Sequence, residues 1–449
     1  MIAGTVDRMR IAVGILVGAL CLGGVASAAG APSDIDAPAE ASVQAGRGNP
    51  SVDVVSVSES SLLSAGVEQS AFDAAGRAGA AAAAGRSAQV GMTTVRRGTT
   101  FVQQAPTGYR YPMGVTVLPV DAVAHVMGDA VAATLAAGQV VWNADSASMR
   151  GALAGDVITL LDPNDNPVDL VIGRVATDAE VGGAELVMRP EEADRLGITR
   201  DTRVLIWGPD SHDAIDQALS AAGLDRAGVR ISRSWDIPSP DSGLGLVRTK
   251  VLLGEFPFKP LASGQVNIPA EWTDSHLHAR LTFSDIAIRA TCHNVVVPAI
   301  QGALSEIAAA GLGGLVDLSS TNQYGGCYNP RLNRITGNIG FLSRHAWAMA
   351  LDMNITQNPQ GSRPRLDCRI VQIFRKWGFA WGGNFTTPDG MHMEYVGERR
   401  DLLAGPVTYC PNVSTTSADH VDPHESSGAA VAPPPSVLFA DDGLPQEGP

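Results

Sequence analysis

Three side chains set the tightest condition on how this chain folds: His345 and Asp352, seven positions apart, and His392, forty positions beyond Asp352. Two imidazoles and a carboxylate form the donor set that holds Zn²⁺ and leaves a fourth position open. Ligand atoms lie about 2 Å from such an ion, so the three side-chain heads must meet within roughly 3 to 3.5 Å of one another. Seven residues of strand span about 23 Å and seven of helix about 10 Å. The 345–352 segment must therefore bend, most simply with His345 at a turn and Asp352 on a strand. Alternation of Ala346, Ala348 and Ala350 against Trp347, Met349 and Leu351 predicts that strand, with small residues on the ligand face. On spacing alone, a buried strand that begins with a His and ends in an Asp cap fits the segment equally well.

The second half of the pattern is better defined. Phe379-Ala380-Trp381 reads as an aromatic strand running into the pair Gly382-Gly383, and Thr387-Pro388-Asp389-Gly390 reads as a turn. That turn delivers His392 and Glu394 onto one face of a following strand. Asp389 stands three residues before a candidate ligand, where it can act as a general base, although a Pro-Asp-Gly turn needs no catalysis to explain it. Glu394 can hold the free ring nitrogen of a ligand imidazole, or serve as the base itself.

At 449 residues and 45% hydrophobic, the chain is long enough for two or three domains. Its net charge of −14, from 46 acidic and 32 basic residues, argues against a nucleic-acid partner and weakly against anionic lipid. Arg8 and Arg10 precede the apolar run 11–25, which closes on Ala26-Ser27-Ala28, so residues 1–28 read as an export signal. The run is shorter than the ~20 residues of a spanning helix, which makes a retained membrane anchor the lesser reading. Lipidation at Cys21 is disfavoured by Leu20, where a small residue is expected. Export leaves Cys292, Cys327, Cys368 and Cys410, enough for two disulfides in an oxidising compartment. Of the three possible pairings, Cys292 with Cys327 and Cys368 with Cys410 is preferred because each pair brackets a compact stretch.

The expected fold class is α+β in two parts. Residues 29–108 are rich in Ala, Gly and Ser and read as a low-complexity linker. Residues 109–237 read as a small α+β domain: a helix over 122–137, strands over 156–161 and 168–172 about the turn 163–167, a short helix over 190–196, a strand over 204–207 and a helix over 211–222. This arrangement is similar to the extracytoplasmic domains of bacterial export permeases. It contains no catalytic spacing, and His125 and His212 read as surface or core residues. The turn-rich stretch Pro238 to Gly243 marks a boundary, after which a second domain runs over 250–411 and includes a helix over 295–310. Residues 412–449, with solvated His420 and His424, read as a disordered tail.

The pattern S-x-H-x-x-x-x-x-x-D with a later D-x-x-H-x-E resembles the zinc D-alanyl-D-alanine carboxypeptidases and dipeptidases of the vancomycin-resistance type, and the related L-alanyl-D-glutamate peptidases. The resemblance extends to Tyr324-Gly325-Gly326-Cys327-Tyr328-Asn329-Pro330-Arg331 and Trp381-Gly382-Gly383, and spans roughly 254–411. It implies a C-terminal zinc peptidase domain built on a small antiparallel sheet flanked by helices. His345, Asp352 and His392 would be the zinc ligands and Asp389 the general base, where carboxypeptidase relatives often have Glu. Arg331 would polarise the carbonyl or neutralise the oxyanion, Ser343 would hydrogen-bond near the substrate or orient the ligand loop, and Trp381 would line the cleft. Two departures stand out: Ala348 replaces a usual Gly, which strains any positive φ there, and Met393 replaces an aromatic.

The implied function is hydrolysis of peptidoglycan stem peptides outside the membrane, first as a D-alanyl-D-alanine carboxypeptidase and second as an L-alanyl-D-glutamate endopeptidase. A wall-binding protein with a structural zinc is the alternative of another class. Membrane or cell-wall association fits the export signal, and the oligomeric state is left open.

Overall fold

Backbone pairing joins the strands between residues 54 and 233 into one large sheet. The computed structural model describes residues 53–60, 62–333 and 341–412. The expected export signal and the tail beyond residue 412 lie outside them. Ten strands form one sheet: β1 (Val54–Glu59), β2 (Ala81–Arg97), β3 (Thr100–Gln104), β4 (Tyr111–Val117), β5 (Val140–Asn143), β6 (Val157–Leu161), β7 (Pro167–Ala176), β8 (Leu186–Met188), β9 (Arg203–Trp207) and β10 (Val229–Arg233).

The 17-residue β2 is shared among four neighbours. Its first residues pair with β9, its middle with β4 and its end with β6 on one side and β3 on the other. The pairings β2-β4-β8-β5-β7-β6 return to β2, so six strands close into a barrel, while β9, β1 and β10 continue the sheet outward. Closure leaves those six strands with no free edge. Val90, Met92, Met113, Trp142, Ile158 and Leu160 fill one core cluster of the barrel.

Residues 54–104 thus form strands and a helix within the span expected to be linker. Ala83 and Ala88 carry little apolar bulk themselves, and partners such as Trp207, Met113 and Trp142 supply it. The helix expected over 122–137 is two helices, Val120–Val126 and Asp129–Ala136, divided at Gly128 with φ 92°. Ser211 caps the helix His212–Ala221 by accepting from the Ala214 N–H.

The C-terminal part is also mixed α+β. Two short antiparallel pairs come first, β11 (Lys259–Pro260) with β12 (Val266–Asn267) and β13 (Leu277–Thr282) with β14 (Arg289–His293). A four-stranded antiparallel sheet follows, built from β15 (Tyr324–Gly325), β16 (Ala350–Met353), β17 (Phe379–Trp381) and β18 (His392–Tyr395) in the order β15-β16-β18-β17. The helix Cys368–Lys376 packs on β17 and on the helix Val297–Ala309. Phe379 meets Phe374 and Tyr395 edge-on, with centroids 5.2 and 5.3 Å apart. Disulfides join Cys292 to Cys327 and Cys368 to Cys410, the expected pairing.

The helix Leu246–Leu253 fastens the barrel to this second sheet, and both lie in one compact unit. Lys250 is fully buried on it, 2.6 Å from Glu185 and 2.8 Å from Glu255, and also donates to the Pro112 carbonyl. Arg150 pairs with Glu255, and the Ser146 hydroxyl donates to Glu185. Each of these buried carboxylates is met by cations or donors, the condition under which such charges are tolerated in an interior. Among the described residues, no helix is long and apolar enough to cross a membrane.

Candidate metal centre

Ser343 begins the first ligand segment as a cap. Its hydroxyl accepts from the His345 N–H at 3.1 Å and starts the 3-10 turn Arg344–Trp347. Ala348 ends that turn in the left-handed conformation, φ 53° and ψ 35°. This is the position where the family that the motifs resemble usually has Gly, and an alanine pays about 1 kcal/mol to adopt it. The strand starts only at Ala350, so the alternation over 346–351 does not describe one continuous strand. Residues 346–351 are all fully buried, because the turn folds both apolar sets into the core.

On the sheet, Asp352 of β16 lies directly across from His392 of β18. Gly325 of β15 flanks Asp352 on the other side, and a Cβ there would stand 3.0 Å from its Oδ2. One ligand-capable atom from each of His345, Asp352 and His392 falls within 4.8 Å of the others. His345 Nε2 is 3.3 Å from Asp352 Oδ2, and His392 Nδ1 is 3.1 Å from Asp352 Oδ1. The other ring nitrogens face oxygen atoms as well. His345 Nδ1 lies 3.2 Å from the Cys327 carbonyl, and His392 Nε2 lies 3.6 Å from Glu394. Imidazole ligands usually have their second nitrogen fixed in this way, so the residues fit a divalent metal with nitrogen and oxygen donors. Burial pushes the Asp352 carboxyl upward, but the charges and hydrogen bonds of His345 and His392 override it and hold it well below the usual carboxylate range.

Asp389 sits where the glycine pair meets the turn. Its backbone N–H donates to the Gly382 carbonyl at 2.8 Å, its carbonyl accepts from the His392 N–H at 3.2 Å, and Gln360 donates to its Oδ2 at 3.2 Å. A Cβ on Gly382 would come within 2.5 Å of the Asp389 carbonyl, so only glycine allows this approach. Trp381, expected beside the substrate, is 1% exposed, and its indole N–H donates to the Gly390 carbonyl at 2.9 Å, which braces the turn. Arg331 is buried, and its carbonyl accepts from the Ser343 N–H at 3.0 Å.

Sequence reasoning missed several supports of this site. Gln360 and the Cys327 carbonyl act through one contact each and carry no periodic signal. Asp241, from the turn-rich stretch before the second domain, accepts from the Trp381 N–H at 3.0 Å and from Asn384 at 2.7 Å, and pairs with Arg375. Arg344 stands 3.4 Å from Glu394. A charged residue in a loop or beside a ligand looks like solvated surface until the fold buries it.

Residues 336–395 match the family model described as D-alanyl-D-alanine carboxypeptidase. The matched span contains His345, Asp352, Asp389, His392 and Glu394 and leaves out Arg331 and the barrel. It upholds the resemblance read from the motifs and supports peptidase chemistry. Zinc is the metal typical of that family. Among solved structures, the extracellular domain of a noncanonic ABC-type transporter from Gram-positive bacteria is similar at 12% identity, over 40% of this chain and 99% of that one, with a TM-score of 0.25. No curated protein matches the chain.

Proposed function

We propose that this chain is an exported, zinc-dependent peptidase that hydrolyses peptidoglycan stem peptides, acting as a D-alanyl-D-alanine carboxypeptidase. One observation carries the reading: the gathered ligand atoms of His345, Asp352 and His392 fall inside the segment that matches the carboxypeptidase family model. Export is supported by the charged-then-apolar segment ahead of Ala28 and by two disulfides, which suit an oxidising compartment.

His345, Asp352 and His392 would hold zinc, which in such a site acts as a Lewis acid that acidifies water and polarises a carbonyl. Asp389 takes a proton from the attacking water and passes it to the leaving amine as the C–N bond breaks. Gln360, donating to one oxygen of that carboxylate, fixes its aim. Arg331 neutralises the negative charge that develops on the carbonyl oxygen. Glu394 faces the ring of His392, which suits orienting that ligand better than taking the water proton. Ser343 serves the site by capping the ligand turn, and Trp381 by bracing the Asp389 turn.

Asp389 in place of the more usual Glu favours a second reading, cleavage between L-Ala and D-Glu. Defined muropeptides incubated with the protein and analysed by mass spectrometry separate the two by the fragment released. Loss of the terminal D-Ala supports the carboxypeptidase, and release of a peptide beginning with D-Glu supports the endopeptidase. No product from any muropeptide, with zinc bound, supports a wall-binding protein instead. Asp389→Asn should lower kcat by about 10²- to 10⁴-fold, the usual contribution of a general base. Turnover that survives that substitution refutes the assigned role.

A further inference from the structure

We infer that Gln89 and Arg344 are positioning residues for the ligand turn, through which the barrel and the helix Leu246–Leu253 form an integral part of the metal site. The inference rests on reading that site as a metal centre. Two routes connect the barrel to the ligands, one through a buried polar contact and the other through partly buried ones.

The first route is direct. Gln89 lies in the middle of β2, is buried, and accepts from the Leu342 N–H at 2.7 Å across 253 positions of sequence. Leu342 is followed at once by Ser343, whose N–H is held by the Arg331 carbonyl and whose hydroxyl caps the turn that carries His345. A displaced Leu342 would move the cap, and the cap sets the His345 backbone.

The second route runs through Arg344. Its guanidinium donates to the Thr249 hydroxyl at 3.0 Å and to the Leu244 carbonyl, and lies 3.4 Å from Glu394, which faces His392. Thr249 is fully buried and adjoins Lys250, the residue locked into the barrel by Glu185 and the Pro112 carbonyl. Gly243 closes against the same carboxylate, since a Cβ there would stand 3.1 Å from Glu394 Oε1. The first histidine is thus set by way of β2 and the second by way of the helix that Pro112 of β4 and Glu185 anchor. A removable prosegment or an independently tethered wall anchor needs no such grip on metal ligands.

The test uses the full-length protein and four variants: Gln89→Leu, Gln89→Glu, Arg344→Lys and Val90→Ala. Zinc affinity is measured by chelator competition, turnover on a peptide ending in D-Ala-D-Ala, and stability by thermal unfolding. Gln89→Leu should weaken zinc binding about tenfold, the lower end for outer-shell partners, and lower kcat with little change in KM. Gln89→Glu keeps an acceptor for Leu342 and should restore much of both. Val90→Ala removes barrel-core volume without touching the turn, so it should lower the melting temperature yet leave zinc affinity unchanged. If Gln89→Leu does not fold, Arg344→Lys still decides, because it should weaken zinc binding while the barrel stays intact.

Wild-type protein that binds one zinc, with Gln89→Leu and Arg344→Lys binding it equally tightly, overturns this inference and leaves the metal centre standing. Wild-type protein that binds no zinc overturns the metal centre itself, and the inference with it.

Discussion

Asp241→Ala is expected to be among the most destabilising single changes in the C-terminal part. Arg375 is fully buried, and its guanidinium meets both oxygens of Asp241 at 2.9 and 2.5 Å. Its remaining partners, the Cys410 carbonyl and Asn412, are neutral. Deleting one member of a buried pair costs about 3–5 kcal/mol, because the other charge is left without its counter-ion. The substitution also orphans the Trp381 N–H, a loss of about 1–3 kcal/mol when a buried donor goes unmet. These terms share one carboxylate and do not simply add, so about 4 kcal/mol is expected. That is a large share of the ~5–15 kcal/mol by which a domain is stable. Urea denaturation followed by tryptophan fluorescence measures it. Asp241→Leu combined with Arg375→Met should recover the part of the loss that comes from the stranded Arg375 charge, since replacing both partners of a buried pair with apolar groups is often near neutral, and leave the part that comes from the unmet Trp381 N–H. A loss below ~1 kcal/mol for Asp241→Ala refutes the role given to the pair.

Three further outcomes are expected. Burial, and to a lesser extent the neighbouring His276, lower His293 from 6.5 to about 4, against the Leu253 carbonyl, which raises it. The unfolded chain therefore takes up a proton first as pH falls, so stability should decline between pH 6.5 and about 4 and then level off. The decline should be about 2–3 kcal/mol and vanish in His293→Gln, as read by urea midpoints across that range. Gly382→Ala would force a Cβ against the Asp389 carbonyl, and should cost about 1–3 kcal/mol and most of the turnover, with both measured on one preparation. Ala348→Gly relieves a left-handed alanine but loosens the unfolded chain and gives up a buried methyl, so thermal unfolding should show a change below ~1 kcal/mol, whereas Ala348→Val should cost about 3 kcal/mol.

The site was more legible in the sequence than the scaffold around it. Reading His345, Asp352 and His392 as one donor set demanded a bend between the first two, and the bend is the turn closed by Ala348 that brings the three together. The disulfides could be read because each pair encloses one short stretch of a single region. The barrel was hidden because β2 begins with four alanines, whose intrinsic preference is helical, and becomes strand only through pairing with β9. Gln89, Asp241 and Arg344 escaped notice for a related reason. Each is polar, each sits in a context that predicts exposure, and each matters only through a partner more than a hundred positions away or on another strand.

The most direct test of the account is the zinc stoichiometry and affinity of the wild-type protein beside His345→Ala and His392→Ala, by metal analysis and chelator competition. One tightly bound zinc per wild-type chain, with binding weakened by orders of magnitude in either variant, is the predicted result. One zinc held with unchanged affinity in both variants would contradict the metal centre on which the peptidase reading stands.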